Sequence, residues 1–368
     1  MKIGFVLDDS LDSSDGVQQY VLGLGEWLSS GGHSVHYLVG QTKRTDIANV
    51  HSLSRNASVR FNGNRMSIPR PAPRQPINDL LEVEQFDILH IQMPYSPWLA
   101  GRIIDAAPKK TAIVGTFHIL PYGRLQFWSA KALSWWTRKR TAQLKHIWSV
   151  SEPAQEFAAQ LGIASTVLPN VVDLQRFANA QPVIDDKNTF TIVFLGRLVE
   201  RKGCAQLLQA FEQLVKTTDD ARLVICGTGP QRKALEDWVE EHALARYVRF
   251  EGYIAEGAKA GYLAGADIAV FPSLGGESFG IVLLEAMAAG AGVVLGGNNP
   301  GYASVLGSLP RTLVDPIDTA GFARQLKRLH ADKTVRHDLH AKQQKLVQQY
   351  DINTIGKKLV SYYQELQQ

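Results

Sequence analysis

Gly275-Gly276-Glu277-Ser278-Phe279-Gly280-Ile281-Val282-Leu283-Leu284-Glu285-Ala286-Met287-Ala288-Ala289-Gly290 is the stretch that organises this chain. The residues before it, Asp267 to Pro272, form an apolar run of strand length, and the glycines mark a tight turn into a helical pattern over 279–289. Strand, glycine turn and helix start bring several backbone N–H groups to one point, where a phosphate can be held. Two carboxylates stand eight positions apart, Glu277 in the loop and Glu285 inside the helix. Nothing obvious neutralises Glu277. A carboxylate beside a phosphate site points to a neutral, polyhydroxylated group lying between them, as in a nucleotide sugar.

Outward from this unit, strand-length apolar runs alternate with helical patterns, which predicts parallel α/β layers. The second half reads as strand 190–195, helix 203–216, strand 222–226, helix 230–242, strand 247–251, helix 256–264, strand 267–271, helix 279–289 and strand 292–295. Helical patterns continue at 318–331, 333–348 and 352–366. The first half reads as strand 2–7, helix 16–30, strands 34–39, 58–61 and 86–91, helix 97–106, strand 111–117, helices across 126–145 and strand 146–150. Pro69 to Pro76 reads as an extended loop, because proline removes donors and disfavours helix. Polar composition over Pro182 to Asn188 reads as a linker, giving domains 1–180 and 189–351. Doubly wound domains take ligands at the carboxyl ends of their strands, so the cleft between the domains is the expected site. Asp8 to Gly16 holds no Gly-x-Gly-x-x-Gly, which argues against hydride transfer.

A chain of 368 residues is long enough for two buried cores, and 45% hydrophobic with 20% charged residues is ordinary for a globular protein. Cys204 and Cys226 are the only cysteines, which suggests a reducing compartment and no disulfide framework. The chain starts straight into a strand, with no signal-peptide pattern. The longest apolar run, Ile281 to Leu295, is broken by Glu285 and falls short of the roughly 20 residues a membrane span needs. The net charge of +4 is uneven: residues 1–180 carry 18 basic and 14 acidic residues, and 181–368 carry 21 of each. Residues 101–150 hold nine basic residues, one acid (Asp105) and Trp128, Trp135, Trp136 and Trp148. Such a stretch is either a solvated helix with its aromatics in the core, or a surface for anionic lipid headgroups or nucleic acid.

Arg197 and Lys202, in Gly196-Arg197-Leu198-Val199-Glu200-Arg201-Lys202-Gly203, come after the first strand of the second domain. Two cations five apart at a strand's carboxyl end can clamp a diphosphate. His118 ends the strand 111–117 and is a candidate donor or orienting group, whereas His90 on strand 86–91 reads as packed. Gly16 permits close backbone approach at the first helix, and Gln18 can bond a hydroxylated ligand. Asn62-Gly63-Asn64-Arg65 reads as a turn and then as a ligand loop. The chain has no Asp-x-Asp pair and no zinc-type His/Cys spacing, so the expected metal ligands are none and a diphosphate falls to Arg, Lys and helix N–H groups.

With these residues assembled, the chain resembles the retaining glycosyltransferases of the fourth sequence family, whose architecture (GT-B) is two facing Rossmann-like domains with the active site in the interdomain cleft. The resemblance spans almost the whole chain and rests on Glu277 and Glu285, on Arg197 with Lys202, and on Thr116-Phe117-His118. Within that family it looks most like bacterial phosphatidylinositol mannosyltransferases, through Gly16-Val17-Gln18, Asn62-Gly63, Phe86-Asp87-Ile88-Leu89-His90-Ile91 and Phe194-Leu195-Gly196-Arg197. The likeness implies that the first domain binds the acceptor and that the last helix, 352–368, crosses back onto it. It implies donor binding by Gly16, Arg197, Lys202, Glu256, Lys259, Glu277, Ser278, Glu285 and the backbone of Phe279, Gly280 and Ile281. Acceptor binding falls to Gln18, Asn62, Arg65, Glu200 and Arg201, and catalysis to His118, Arg197, Lys202 and Glu277.

The activity this resemblance implies is transfer of a hexose, mannose from GDP-mannose, to a membrane glycolipid or phosphoinositide-like acceptor, with retention and without metal or other cofactor. The glycine usual before Gly16 is Asp15 here, and the basic cluster before the fourth strand is reduced to Arg65, Arg70 and Arg74. Contact with an anionic membrane is therefore expected through residues 127–145, on the cytoplasmic, inner face, with no nucleic-acid partner. The alternatives are a UDP-hexose-dependent transferase with a diacylglycerol or other glycan acceptor, a hydrolysing sugar-nucleotide epimerase, and a non-catalytic nucleotide-sugar-binding module.

Overall fold

A computed structural model describes residues 1–12, 15–61, 64–69, 72–184, 186 and 188–367, with 57–61 and 64–69 described by their backbone alone. In chain order the first elements are β1 (Lys2–Leu7), α1 (Gly16–Ser30), β2 (Ser34–Val39), β3 (Val50–Ser52), β4 (Asn56–Phe61), β5 (Asn64–Pro69) and α2 (Arg74–Glu84). Then come β6 (Ile88–Ile91), α3 (Leu99–Ala106), β7 (Ala112–Phe117), α4 (Arg124–Thr141), β8 (His146–Ser149), α5 (Glu152–Gln160) and β9 (Thr166–Val167). The next set is α6 (Leu174–Ala178), β10 (Phe190–Leu195), α7 (Cys204–Val215), β11 (Ala221–Cys226), α8 (Arg232–Glu241), β12 (Val248–Gly252), α9 (Glu256–Ala264) and β13 (Ile268–Phe271). Last are α10 (Ile281–Ala288), β14 (Val293–Gly297), α11 (Pro300–Leu306), β15 (Leu313–Val314), α12 (Thr319–Ala331), α13 (Lys333–Val347) and α14 (Ile352–Glu365).

The chain divides into two Rossmann-like α/β units, Met1–Val171 with Ile352–Gln368, and Val172–Asp351. In the first, the strand order is β3-β2-β1-β6-β7-β8-β9 and every pairing is parallel. Parallel strands covered on both faces read as unbroken apolar runs rather than alternating ones, and β1, β6 and β7 do so. One face packs against α1 and α14, the other against α2 and α3. Each fully buried Leu, Ile or Phe there contributes about 1.5–3 kcal/mol by leaving water. The last helix is tied in by polar contacts too: Tyr363 Oη lies 2.6 Å from His90 Nδ1, and Trp27 Nε1 donates to Asn353 Oδ1 at 3.0 Å.

In the second unit the order is β12-β11-β10-β13-β14-β15, again parallel throughout. Its core joins the strands to α7, α8, α12 and α13. In both sheets the first strand has its successor on one side and a later strand on the other. That reversal, at β1/β6 and at β10/β13, opens a crevice at the carboxyl ends of the strands, where such folds take ligands.

The structure departs from the sequence reading in several places. The proline run does not stay extended: α2 starts at Arg74 and carries Pro76 in its first turn, where the backbone N–H has no helical partner to lose. The expected strand 58–61 is one arm of an antiparallel hairpin, β4 with β5. Helix α5 was not expected, although Ser151 caps it by accepting from Ala154 N and Pro153 sits in its first turn. Part of the expected linker packs onto α9, with Val183 N donating to Gly261 O at 3.0 Å.

Candidate active site

The crevice between β10 and β13 gathers the charged groups of the second unit. The loop after β10, carrying Arg197 to Lys202, meets the loop after β13. Leu274 N donates to Arg201 O at 2.8 Å, and Arg201 Nη1 donates to Gly275 O at 3.1 Å. Gly203 makes this approach possible: its φ is +72°, and a Cβ there would lie 2.0 Å from Pro272 O. Three donors converge on one oxygen, Glu277 Oε1: Lys202 Nζ at 2.9 Å, Arg201 Nη1 at 2.5 Å and Ser273 Oγ at 2.7 Å. Gly280, with φ +122°, then caps α10, whose first turn leaves N–H groups without helical partners.

This corrects the expectation that Glu277 stands without a counter-charge. Burial alone would raise its carboxyl, but the Lys202 and Arg201 charges, with hydrogen bonds from Lys202 and Ser273, outweigh burial and hold it at about 2. Burial pulls the Lys202 ammonium below its ordinary range, against the pull of Glu277. Arg201 and Arg197 lower it further, so three cations stand together here. Against one carboxylate they leave the crevice net positive, next to a helix N-terminus. Such a set can bind a diphosphate. Arg201, expected on the acceptor side, is turned instead into Glu277 and the Gly275 carbonyl, while Glu200 is exposed.

Glu285, Lys259 and Glu256 form one cluster. Lys259 Nζ lies 2.9 Å from Glu256 Oε1 and 3.0 and 3.1 Å from the two oxygens of Glu285. Burial lifts the Glu285 carboxyl above its ordinary range, opposed by Lys259, whose own value rises because the two carboxylates outweigh its burial. Phe279 precedes α10 rather than belonging to it, and its ring meets Tyr350 edge-on at 5.6 Å.

In the first unit, β1, β6 and β7 deliver Asp8, Gln92 and His118 to their carboxyl ends. His118 Nε2 lies 2.8 Å from Gln92 Oε1, and its ring meets Tyr20 edge-on at 5.3 Å. Burial drops its imidazole to about 3, so the ring is neutral at pH 7. Asp8 accepts from Ala100 N at 2.6 Å and from the Ser96 hydroxyl, and burial lifts its carboxyl to about 7. Gln18 is buried, its Nε2 donating to Ser10 O at 3.2 Å and Asp9 Oδ2 at 3.3 Å, while its Oε1 has no partner. Gly16 is the first residue of α1. Asn62 lies outside the described residues, and the side chain of Arg65 does too. His90 is packed as expected, bonded on both nitrogens to Tyr363 and Thr116.

Residues 14–176 match the family described as Glycosyltransferase Family 4, and 175–346 match Glycosyl transferases group 1. A phosphatidyl-myo-inositol mannosyltransferase of Mycolicibacterium smegmatis is 33% identical over 383 residues, covering 99% of this chain and 94% of that relative. The chain belongs to the GT-B glycosyltransferases. In fold, this glycosyltransferase is similar to one from Rickettsia africae (TM-score 0.77, 17% identity, 99% and 98% of the two chains covered). It is likewise similar to an Anabaena protein solved in complex with UDP-glucose (TM-score 0.74, 16% identity, 99% and 100% covered).

In its first unit the glycosyltransferase exposes Trp128, Trp135 and Trp136 along α4, and only Trp148 of the four tryptophans is in the core. Lys131 lies over the Trp128 ring at 5.3 Å and Arg138 over Trp135 at 5.1 Å. A cavity of about 640 Å³ beside them is lined by Arg74, Trp98, Arg102, Trp136 and Arg140, with Asp105 as its one acid. Asp8, Gln92 and His118 do not line it. Among the described residues no helix is long and apolar enough to cross a membrane. The sequence reading placed Arg201 on the acceptor side and did not name Ser273, Asp8 or Gln92 as candidates. Position alone could have flagged Asp8 and Gln92, each just past a strand's carboxyl end.

Proposed function

We propose that this glycosyltransferase moves mannose from GDP-mannose, with retention and without a metal, to a hydroxyl of a phosphoinositide-like glycolipid. The observation that carries the proposal is the cationic crevice at β10/β13, in which Arg201 and Lys202 hold Glu277. In it, Arg197, Arg201, Lys202 and the start of α10 would stabilise the charge growing on the departing diphosphate, preorganised before the reaction. A diphosphate competing for Lys202 and Arg201 would release Glu277 Oε1 toward a hexose hydroxyl. Glu285, Lys259 and Glu256 would then meet the ribose and base. The name of the 33% identical relative supports the choice of mannose and of the lipid acceptor.

His118 would act as a hydrogen-bonding group for the sugar. An imidazole near 3 is too weak a base to take a proton at pH 7. Glu277 and Glu285, the carboxylates proposed to meet the donor, are each paired with a cation, which supports front-face attack with the leaving phosphate accepting the acceptor proton. The exposed tryptophans and basic residues of α4 support peripheral contact with an anionic membrane. The test is turnover of GDP-mannose, GDP-glucose, UDP-glucose and UDP-galactose, each with phosphatidylinositol and with diacylglycerol in mixed micelles, in buffer with and without chelator. The proposal expects GDP-mannose with phosphatidylinositol to lead by at least tenfold, chelator making no difference. A UDP-sugar turned over faster would replace the donor assignment, and anomeric inversion in the product would remove the mechanism.

A further inference from the structure

Near the amino-terminal ends of the first sheet's strands, three ligating side chains from three elements converge. His36 lies on β2, His51 on β3, and Glu84 is the last residue of α2. The two imidazoles are parallel, with 3° between planes, and His36 Nδ1 lies 3.0 Å from His51 Nε2. His36 Nε2 is 3.7 Å from Glu84 Oε2. One donor atom from each residue lies within 4.8 Å of the other two. His36 is 6% exposed and Phe86 packs edge-on against it at 5.3 Å, so the core fixes its ring.

We infer that His36, His51 and Glu84 form a binding site for a divalent transition-metal ion, with water completing the coordination shell. Two imidazole nitrogens facing each other can share a single proton. An ion held at about 2.0–2.1 Å from each, in tetrahedral geometry, needs them about 3.4 Å apart with both lone pairs aimed at one point, so the rings, which now face each other nearly in line, must turn as well as part. Two imidazoles and a carboxylate suit zinc or cobalt better than calcium or magnesium, which prefer oxygen shells. One feature opposes binding: Lys2 Nζ lies 3.0 Å from Glu84 Oε2 and competes for it. Lys2 starts β1, whereas Asp8 lies past its end, so this ion would sit away from the sugar chemistry. It would tie the edge strand β3 to β2 and α2.

The experiment strips the full-length protein with chelator, then titrates zinc sulfate by calorimetry and Co²⁺ by visible absorption. One ion per chain is expected, with the intense absorption of tetrahedral cobalt and a rise in melting temperature as zinc saturates. Glu84→Gln and His51→Ala should each weaken zinc by at least about tenfold. Their melting temperatures in chelator should stay near wild type, and if one fails to fold the other decides. Lys2→Ala, which removes the competing ammonium, should bind zinc more tightly. Wild-type protein without stoichiometric binding, or folded variants that bind as wild type does, would overturn the site. Donor turnover is untouched by either result.

Discussion

Lys202 Nζ stands 2.9 Å from Glu277 Oε1, so one ammonium both joins the loops after β10 and β13 and occupies the carboxylate proposed to meet the hexose. On the proposed mechanism, donor binding and catalysis would draw on the same ion pair. Lys202→Ala should lower kcat by at least about 100-fold, a loss near 3 kcal/mol, as removing one oxyanion donor does. Steady-state kinetics on the folded variant check this, and turnover within a few-fold of wild type would remove Lys202 from the chemistry.

Gly203→Ala should be worse than its size suggests. The added methyl meets the Pro272 carbonyl at 2.0 Å in a backbone region that disfavours side chains. The loops must separate, so the expected outcome is a loss of at least about 2 kcal/mol in denaturant unfolding together with lost donor binding.

Acid should destabilise the first unit through His118. Its imidazole is held near 3 against an ordinary 6.5, so the unfolded chain takes up a proton that the fold refuses. The contribution is complete above pH 6.5 and declines as pH falls from there toward 3. Asp8, lifted to about 7, works in the opposite direction, because the fold keeps a proton the unfolded chain has lost. A variant comparison separates them: His118→Gln should lose less stability than wild type between pH 7 and pH 4.5, by about 1 kcal/mol or more. Equal slopes in urea unfolding would contradict it.

Tyr363→Phe removes one oxygen and leaves His90 Nδ1 buried without its partner. A cost of about 1–3 kcal/mol is expected, read from urea denaturation. A neutral result would mean that the last helix is held by packing alone.

Trp135→Ala combined with Trp136→Ala takes two exposed rings off α4 without touching the core. Sedimentation with anionic vesicles should fall at least about tenfold, while donor hydrolysis in detergent should persist. Unchanged vesicle binding would detach α4 from the membrane proposal.

The strands and most helices were legible because parallel β/α layers leave local signals: apolar runs, glycines at turns, and helices bounded by caps. The site was legible only at residues lying just past a strand end with a distinctive charge, such as Arg197, Lys202 and Glu277. Its wiring was not. Arg201 reaches Glu277 from 76 positions away and Ser273 from four, and no sequence spacing encodes that Oε1 accepts from three donors. His36, His51 and Glu84 were invisible for the same reason, since zinc-type spacings look for ligands close along the chain. Helix α2 was missed because proline reads as a breaker, whereas the first turn tolerates it.

The return of α14 to the first unit has a consequence for biosynthesis. A ribosome completes Met1–Val171 early, yet the helix covering one face of that sheet emerges only after all of Val172–Asp351 has been made. Until then α1 alone covers that face, and the apolar surface that Ile352, Ile355, Leu359 and Tyr363 will bury is left open to water and to other chains.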